Sequence, residues 1–432
     1  MMWRELLTQK STLRRYGKVC NVNGLLVEGY DPGASMGDLC RIFGSSDPEI
    51  VDGEIVGFRQ GKVLMIPVNQ LAGISPGCKF LPLGKKPDVP VCKELLGRVI
   101  DGLGNPIDDK GPLGNYMRYS IYSEPINPLH RGRIREPIDI GIRAINGLMT
   151  CGKGQRMGIF SGSGVGKSYL LGMVARNTAA DINVIGLIGE RGREVREFIE
   201  KNLEEEGLAR SVIVVATSDT SPLIRMRAAY GATAIAEYFR DQGFDVLMMI
   251  DSLTRFAMAQ REVGLSLGEP PTTKGYTPSV FSLLPKLIER TGNIEGGGSI
   301  TGLYTVLVEG DDFNEPIADS ARSLLDGHIV LSRELSAMNH YPAIDVLASI
   351  SRVMNDIVDD QHRKKAGEIM DILATYRKVE DLLNIGAYAK GSNPRIDYAI
   401  GMIEKIHAFL RQDMHETASF NETRNYLFSL VK

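Results

Sequence analysis

The sequence predicts an α/β protein: a doubly wound parallel-sheet core, a small N-terminal β-barrel ahead of it and a helical domain behind it. Three observations carry this. Between residues 86 and about 345, continuous apolar runs alternate with amphipathic helical patterns, as expected for a parallel sheet covered on both faces. Between 17 and 85, short β-prone runs are evenly spaced among Gly, Pro and Asp turn signals. After about 355, apolar residues recur at three- and four-residue spacing. The expected organisation is a terminal segment (1–16), a barrel (17–85), a sheet domain (86–355) and a helical domain (356–432).

Taken in order, residues 2–16 can be drawn as a short helix with Trp3, Leu6, Leu7 and Leu13 as its apolar positions. The periodicity is imperfect, and a frayed terminus reads equally well. The runs "LLVEGY", "EIVGF", "KVLMIPV" and "KFLPL" read as barrel strands. In the sheet domain, "QRMGIFS", "INVIGLIG", "SVIVVAT" and "DVLMMID" read as buried strands, each followed by a helical pattern. The right-handed crossover rule then gives a doubly wound sheet. Further on, "HRKKAGEIMDILATYRKVEDLLNIG" reads as a helix ending at Gly386, and a second helix begins near Pro394.

Composition narrows the class of function. The 432 residues exceed one small core, and 43% hydrophobic with 24% charged residues is ordinary for a globular chain. A net charge of −3 offers no global basic field for nucleic acid or an anionic membrane. The barrel's few aromatics (Tyr30, Phe43, Phe58, Phe80) do not interleave with a basic stripe, so no nucleic-acid partner is expected. No apolar run reaches the ~18 residues of a membrane span, so membrane association is expected only through partners. The N-terminus lacks the apolar core of a signal peptide. Five scattered Cys without a C-x-x-C pair suggest a reducing cytosol.

The chemistry is concentrated in "GIFSGSGVGKSYLL", residues 158–171. It departs from G-x-x-x-x-G-K-[ST] only at Ser161, where the pattern has Gly. That position ends a strand, where a small side chain suffices. The backbone N–H groups of Gly162, Ser163, Gly164, Val165, Gly166, Lys167 and Ser168 can turn inward on an anion, and the helix running on through Tyr169 adds its positive end. Lys167 suits the β- and γ-phosphates of ATP, and the Ser168 hydroxyl suits Mg²⁺. A Gly-rich turn without phosphate is the alternative. Lys-Ser at the helix start and an apolar strand before the loop argue against it. "FDVLMMIDS" supplies a carboxylate, Asp251, at the end of a later strand, placed to hold the Mg²⁺ through water. In "LIGERGRE", Glu190 directly follows a strand, where ligands sit in open parallel sheets. Local sequence leaves two readings open there: a group facing the γ-phosphate, or part of a solvated charged turn.

Together with these, "LIGERGREV", "LMMIDSLTRFAMAQREVGLS", "GEPPTTKGYTPSVF", "GSITGLYTVLVEGDDFNEPIAD", "LDGHIVLSR" and "NHYPAIDVLASISRVMNDIV" resemble the type III export ATPases, relatives of the catalytic subunits of rotary ATP synthases. Within that family the chain is most similar to the flagellar branch. The resemblance covers about residues 90–360 closely, and the rest in general layout. It implies a P-loop, RecA-like core in which Glu190 polarises the attacking water and Arg191 is its charged neighbour near the phosphates. It implies that Arg352 is an arginine finger supplied in trans and that Tyr341 packs on the adenine ring. It further implies a cytoplasmic homohexamer, peripheral at the flagellar base. The implied partners are a stator-like regulatory protein at the N-terminus, export gate and stalk proteins, export chaperones and unfolded substrates. An ordinary salt bridge for Arg352 and a half-buried core aromatic for Tyr341 are the readings without the resemblance.

The expected function is therefore ATP hydrolysis coupled to export of unfolded flagellar proteins. The alternatives are a virulence injectisome ATPase with the same chemistry, a non-catalytic nucleotide-binding ring subunit, and an RNA translocase. Glu190 argues against the second, and the acidic balance against the third.

Overall fold

The structure, a computed structural model, describes residues 14–31, 33–44, 50–69, 73–308, 310 and 312–431. Of the expected N-terminal partner segment, 1–13 lie outside the described residues, and 14–16 lead without regular structure into the first strand.

Six strands form a closed antiparallel barrel: β1 (Gly17–Asn23), β2 (Leu26–Tyr30), β3 (Leu39–Phe43), β4 (Ile50–Arg59), β5 (Lys62–Pro67) and β6 (Lys79–Pro82), in the order β1-β2-β5-β4-β3-β6. Closure removes the free edges a small open sheet would expose. Val19, Val27, Ile42, Ile55, Met65 and Phe80 fill the interior. The sequence reading missed β1 and β3. In both, outward polar residues such as Lys18 and Arg41 dilute the apolar signal.

Next come β7 (Asp88–Val91), β8 (Arg98–Asp101) and β9 (Met117–Ser120), with β7 and β9 forming a two-stranded ribbon. The strands of the main sheet follow: β10 (Arg156–Ser161), β11 (Ile182–Ile188), β12 (Ser211–Ala216), β13 (Asp245–Asp251), β14 (Gly292–Asn293), β15 (Ser299–Leu307), β16 (Gly327–Leu331) and β17 (Ile344–Ser351). The sheet order is β17-β16-β10-β15-β13-β11-β12-β8, with β14 on the flank of β15. All neighbours along that path are parallel except β16 and β17. Every residue of β11 and β12 is buried, which is why these strands read as unbroken apolar runs.

Helices α1 (Lys167–Asn177), α2 (Pro222–Asp241), α3 (Leu253–Ser266), α4 (Pro278–Ile288) and α5 (Pro316–Leu324) flank the sheet. On α2, Arg227 is buried against Glu54 of the barrel at 2.8 Å, and Tyr122 donates to the same carboxylate at 3.0 Å. At the other end of the chain stand α6 (Asp360–Asn384), α7 (Pro394–Leu410) and α8 (Phe420–Leu430). Their apolar faces, with Ile369, Ile406, Phe409 and Leu427, share one core with Ile145 and Leu148 of the sheet domain. The buried Arg143 ties the two together, donating to the Phe409 carbonyl at 2.8 Å and pairing with Glu416. Among the described residues, no helix is long and apolar enough to cross a membrane.

Candidate active site

Because β10, β15, β13 and β11 are parallel, their C-terminal ends share one edge of the sheet. Everything at the site hangs from that edge. β10 stops at Ser161, which is fully buried, and the chain turns through Gly162–Gly166 into α1. Gly164 (φ 78°) and Gly166 (φ 93°) are left-handed, a conformation that lets successive N–H groups face one point. Ser163, Gly164, Ser168 and Tyr169 are exposed at the loop's mouth, while Val165 is buried and anchors it.

Lys167 opens α1 and crosses to two other strand ends. Its ammonium donates to Glu190 Oε1 at 3.1 Å and also to Asp251 Oδ1. Side-chain exposure is 13% for Lys167, 16% for Glu190 and 5% for Asp251, so these charges meet largely out of water. Burial alone would depress the Lys167 ammonium. Asp251 and Glu190 outweigh it and hold its pKa above the ordinary value. Burial pushes the Glu190 carboxyl above its usual 4.5 against the pull of Lys167, and a hydrogen bond with Glu194 adds to the rise. Glu190 is therefore paired with the loop lysine, largely out of water, and not free in a solvated turn.

The donors suit a hard cation: the Asp251 carboxylate at a strand end and the Ser168 hydroxyl in the first turn of α1. Among the described residues, no cluster of three or more His, Cys, Asp or Glu could hold a metal by itself. Phosphate oxygens and water would complete the coordination, as is usual for Mg²⁺.

Tyr341 stands at the loop's other side. A methyl group on Gly166 would come within 3.3 Å of its ring, and its hydroxyl lies 2.9 Å from Ser336 Oγ. The ring is 40% exposed, open on one side.

Two expected site residues are not brought in. Arg191 is 81% exposed and pairs with Glu194 at 3.5 Å. Arg352 follows β17, which runs antiparallel to β16 and so ends at the opposite edge of the sheet. Its N–H donates to Asp326 O at 2.9 Å, and Asp326 N donates to Arg156 O, at the start of β10, at 2.8 Å. The whole of β10, roughly 16 Å of strand, separates Arg352 from the chain's own loop. No arginine side chain spans that.

Sequence reasoning missed two residues. Thr305, on β15, donates to Asp251 Oδ1 at 2.6 Å and fixes its orientation. It sits inside an apolar strand with no local signal. Arg255 lies in the first turn of α3, and its side chain packs against Gly189, where an added Cβ would come within 2.9 Å. Its buried Nε has no hydrogen-bond partner among the described residues. A cation in the first turn of a helix opposes the helix dipole, and that anomaly was legible.

With the geometry in place, comparison with known proteins is direct. Residues 141–351 match the ATP synthase alpha/beta family nucleotide-binding domain, and 358–429 match the T3SS EscN ATPase C-terminal domain. The "Flagellum-specific ATP synthase" of Bacillus subtilis (strain 168) is 52% identical over 428 residues, 99% of this chain and 98% of that protein. The "Type 3 secretion system ATPase" of Xanthomonas euvesicatoria is 50% identical over 428 residues, 99% of this chain and 96% of that protein. Among solved structures, the assembled ATPase EscN from the enteropathogenic E. coli type III secretion system superposes with a TM-score of 0.91. The identity there is 46%, over 96% of this chain and 100% of that one. A phosphate loop whose lysine is shared by two strand-end carboxylates, on a chain matched nearly end to end, leaves one conclusion: the protein belongs to the flagellar and type III secretion branch of the ATP synthase alpha/beta family.

Proposed function

We propose that this protein is an Mg²⁺-dependent ATPase that powers type III export of unfolded flagellar proteins, working as a homohexamer in the cytoplasm at the flagellar base. One observation carries the catalytic reading. Lys167 of the phosphate loop is held at once by Glu190 and Asp251, while Arg352 lies at the far edge of the sheet. The first three groups form most of a hydrolytic site. The fourth, out of reach of its own chain's loop, serves a neighbour's in this reading.

In this reading the Gly162–Ser168 loop cradles the phosphates of ATP, and Lys167 leaves the two carboxylates for the β- and γ-oxygens. Glu190, freed, orients a water in line with the γ-phosphorus and accepts its proton. Asp251 and Ser168 would hold Mg²⁺, whose charge would offset that of the phosphates. Tyr341 stacks on the adenine, and Arg352 of the next subunit stabilises the charge that develops. Positioning and electrostatics are what phosphoryl transfer requires.

Relatives support the assembly. EscN was solved assembled, and also with its central stalk EscO. A ring of identical chains with sites at heterologous interfaces fits a chain carrying both halves of the site. We assign stalk contact to the 356–432 domain and regulation to the 1–16 segment, with export gate, chaperones and unfolded substrates as further partners. The test is ATP turnover against protein concentration. Specific activity rises as subunits associate, and Arg352→Ala abolishes the rise while leaving nucleotide binding to dilute protein intact. A concentration-independent rate would overturn the reading.

A further inference from the structure

Arg352 does not stand alone on its face of the molecule. Its Nη2 donates to the backbone carbonyl of Arg322 at 3.1 Å. Arg322 belongs to the last turn of α5, and both arginines are exposed. Asp326, four residues beyond Arg322 and the backbone partner of Arg352, is already engaged by Arg156. Its Oδ2 accepts from Arg156 N and Nε at 3.0 Å each, and its Oδ1 from Nη2 at 3.1 Å. Neither Arg322 nor Arg352 has a carboxylate partner among the described residues.

His328, on β16, lies in the same corner and accepts no share of the charge. Burial holds its pKa below the ordinary imidazole value, and both arginines depress it further. Two arginines without a carboxylate, close enough for both to act on His328, repel each other in the isolated chain. An anion placed against both removes that cost and turns it into binding energy.

We propose that Arg322 acts in trans as a partner of Arg352, so that each phosphate loop meets a pair of arginines from the neighbouring subunit. This rests on the reading of Arg352 as the neighbour's arginine. Arg322 is a positioning residue. Its carbonyl holds the Arg352 guanidinium, and its own charge drives Arg352 outward and strengthens the field on the phosphates.

The experiment uses full-length Arg322→Ala, Arg322→Lys, Arg352→Ala and Lys167→Ala proteins, alone and in pairwise mixtures, with steady-state ATP turnover as readout. Arg322→Ala keeps the backbone carbonyl and removes the charge, and it lowers kcat roughly 10- to 100-fold, the scale of one unit charge acting near a protein surface. It leaves nucleotide binding to dilute protein unchanged, and Arg322→Lys recovers most of the loss. Mixing Arg322→Ala with Lys167→Ala restores turnover, because some interfaces then join an intact loop to an intact arginine pair. Mixing Arg322→Ala with Arg352→Ala restores none, because every donating face lacks one member. Wild-type turnover by Arg322→Ala, or restoration in that last mixture, overturns the pairing. The Arg352→Ala and Lys167→Ala mixture is the control for the underlying reading. If it regains nothing, Arg352 does not act in trans. If it regains turnover while Arg322→Ala with Lys167→Ala does not, only the role of Arg322 falls.

Discussion

Lys167 Nζ lies 3.1 Å from Glu190 Oε1, and the same ammonium is bound by Asp251, so one cation neutralises two buried carboxylates at adjoining strand ends. Removing it leaves both acids facing each other out of water. Lys167→Ala therefore loses more than nine-tenths of turnover while the chain still folds. Its melting temperature falls, because an unpaired buried charge costs several kcal/mol. That loss shrinks as pH falls, because protonating the acids removes the unpaired charge. Thermal melts across pH check this, and a pH-independent deficit would count against the shared cation.

Glu190→Gln keeps the size of the side chain and removes its basicity. Turnover drops by at least about a hundredfold, the low end for general-base removal, with ATP affinity retained. Unchanged turnover would disprove the assignment of Glu190.

The same carboxyl sets a pH limit. Its pKa is raised above 4.5 by burial and by Glu194, so turnover is lost on the acid side at a higher pH than a free glutamate would dictate. Glu194→Gln moves that acid limb to lower pH. The linkage to stability has the matching sign. A carboxyl with a raised folded-state pKa contributes stability that is full below 4.5 and is lost as pH rises through the folded value. Rate profiles of the two proteins decide the point.

Ser161 tests the irregular position of the loop. Its side chain is fully buried, and Oγ has no hydrogen-bond partner among the described residues. Ser161→Ala is silent in turnover, and slightly stabilising because it deletes an unsatisfied hydroxyl. Ser161→Leu overfills the strand end at a cost of about 1–3 kcal/mol and displaces the loop. Melting curves with turnover measure both, and an active Leu variant would show that size at this position does not matter.

In the proposed reading Tyr341 contributes binding rather than rate. Tyr341→Ala raises the KM for ATP by roughly 5- to 100-fold, the range of one lost base stack, with kcat largely kept, while Tyr341→Phe is near neutral. Gly166→Ala is severe on two counts, a φ of 93° and a contact 3.3 Å from that ring. Kinetics for the three variants separate stacking from loop geometry.

The local half of this site was legible in the chain. The loop is contiguous, its glycines announce left-handed backbone, and the buried strands β10, β11, β12 and β13 show as apolar runs because both faces of the sheet are covered. The barrel was legible as a barrel, although β1 and β3 hid behind their outward polar residues.

The tertiary structure decided the rest, because strand order and direction are set by pairing partners far away in sequence. It laid β15 between β10 and β13, which brought Thr305 onto Asp251. It brought Glu190 onto Lys167 and largely out of water, which local sequence left open. Tyr341 and Arg352 lie at either end of one strand. The antiparallel pairing of β17 with β16 sent the first to the phosphate loop and the second to the opposite edge, beside Arg322 and facing outward. Sequence determined which residues are chemically suited to the site, and pairing direction decided which of them lie within reach of their own chain's phosphate loop.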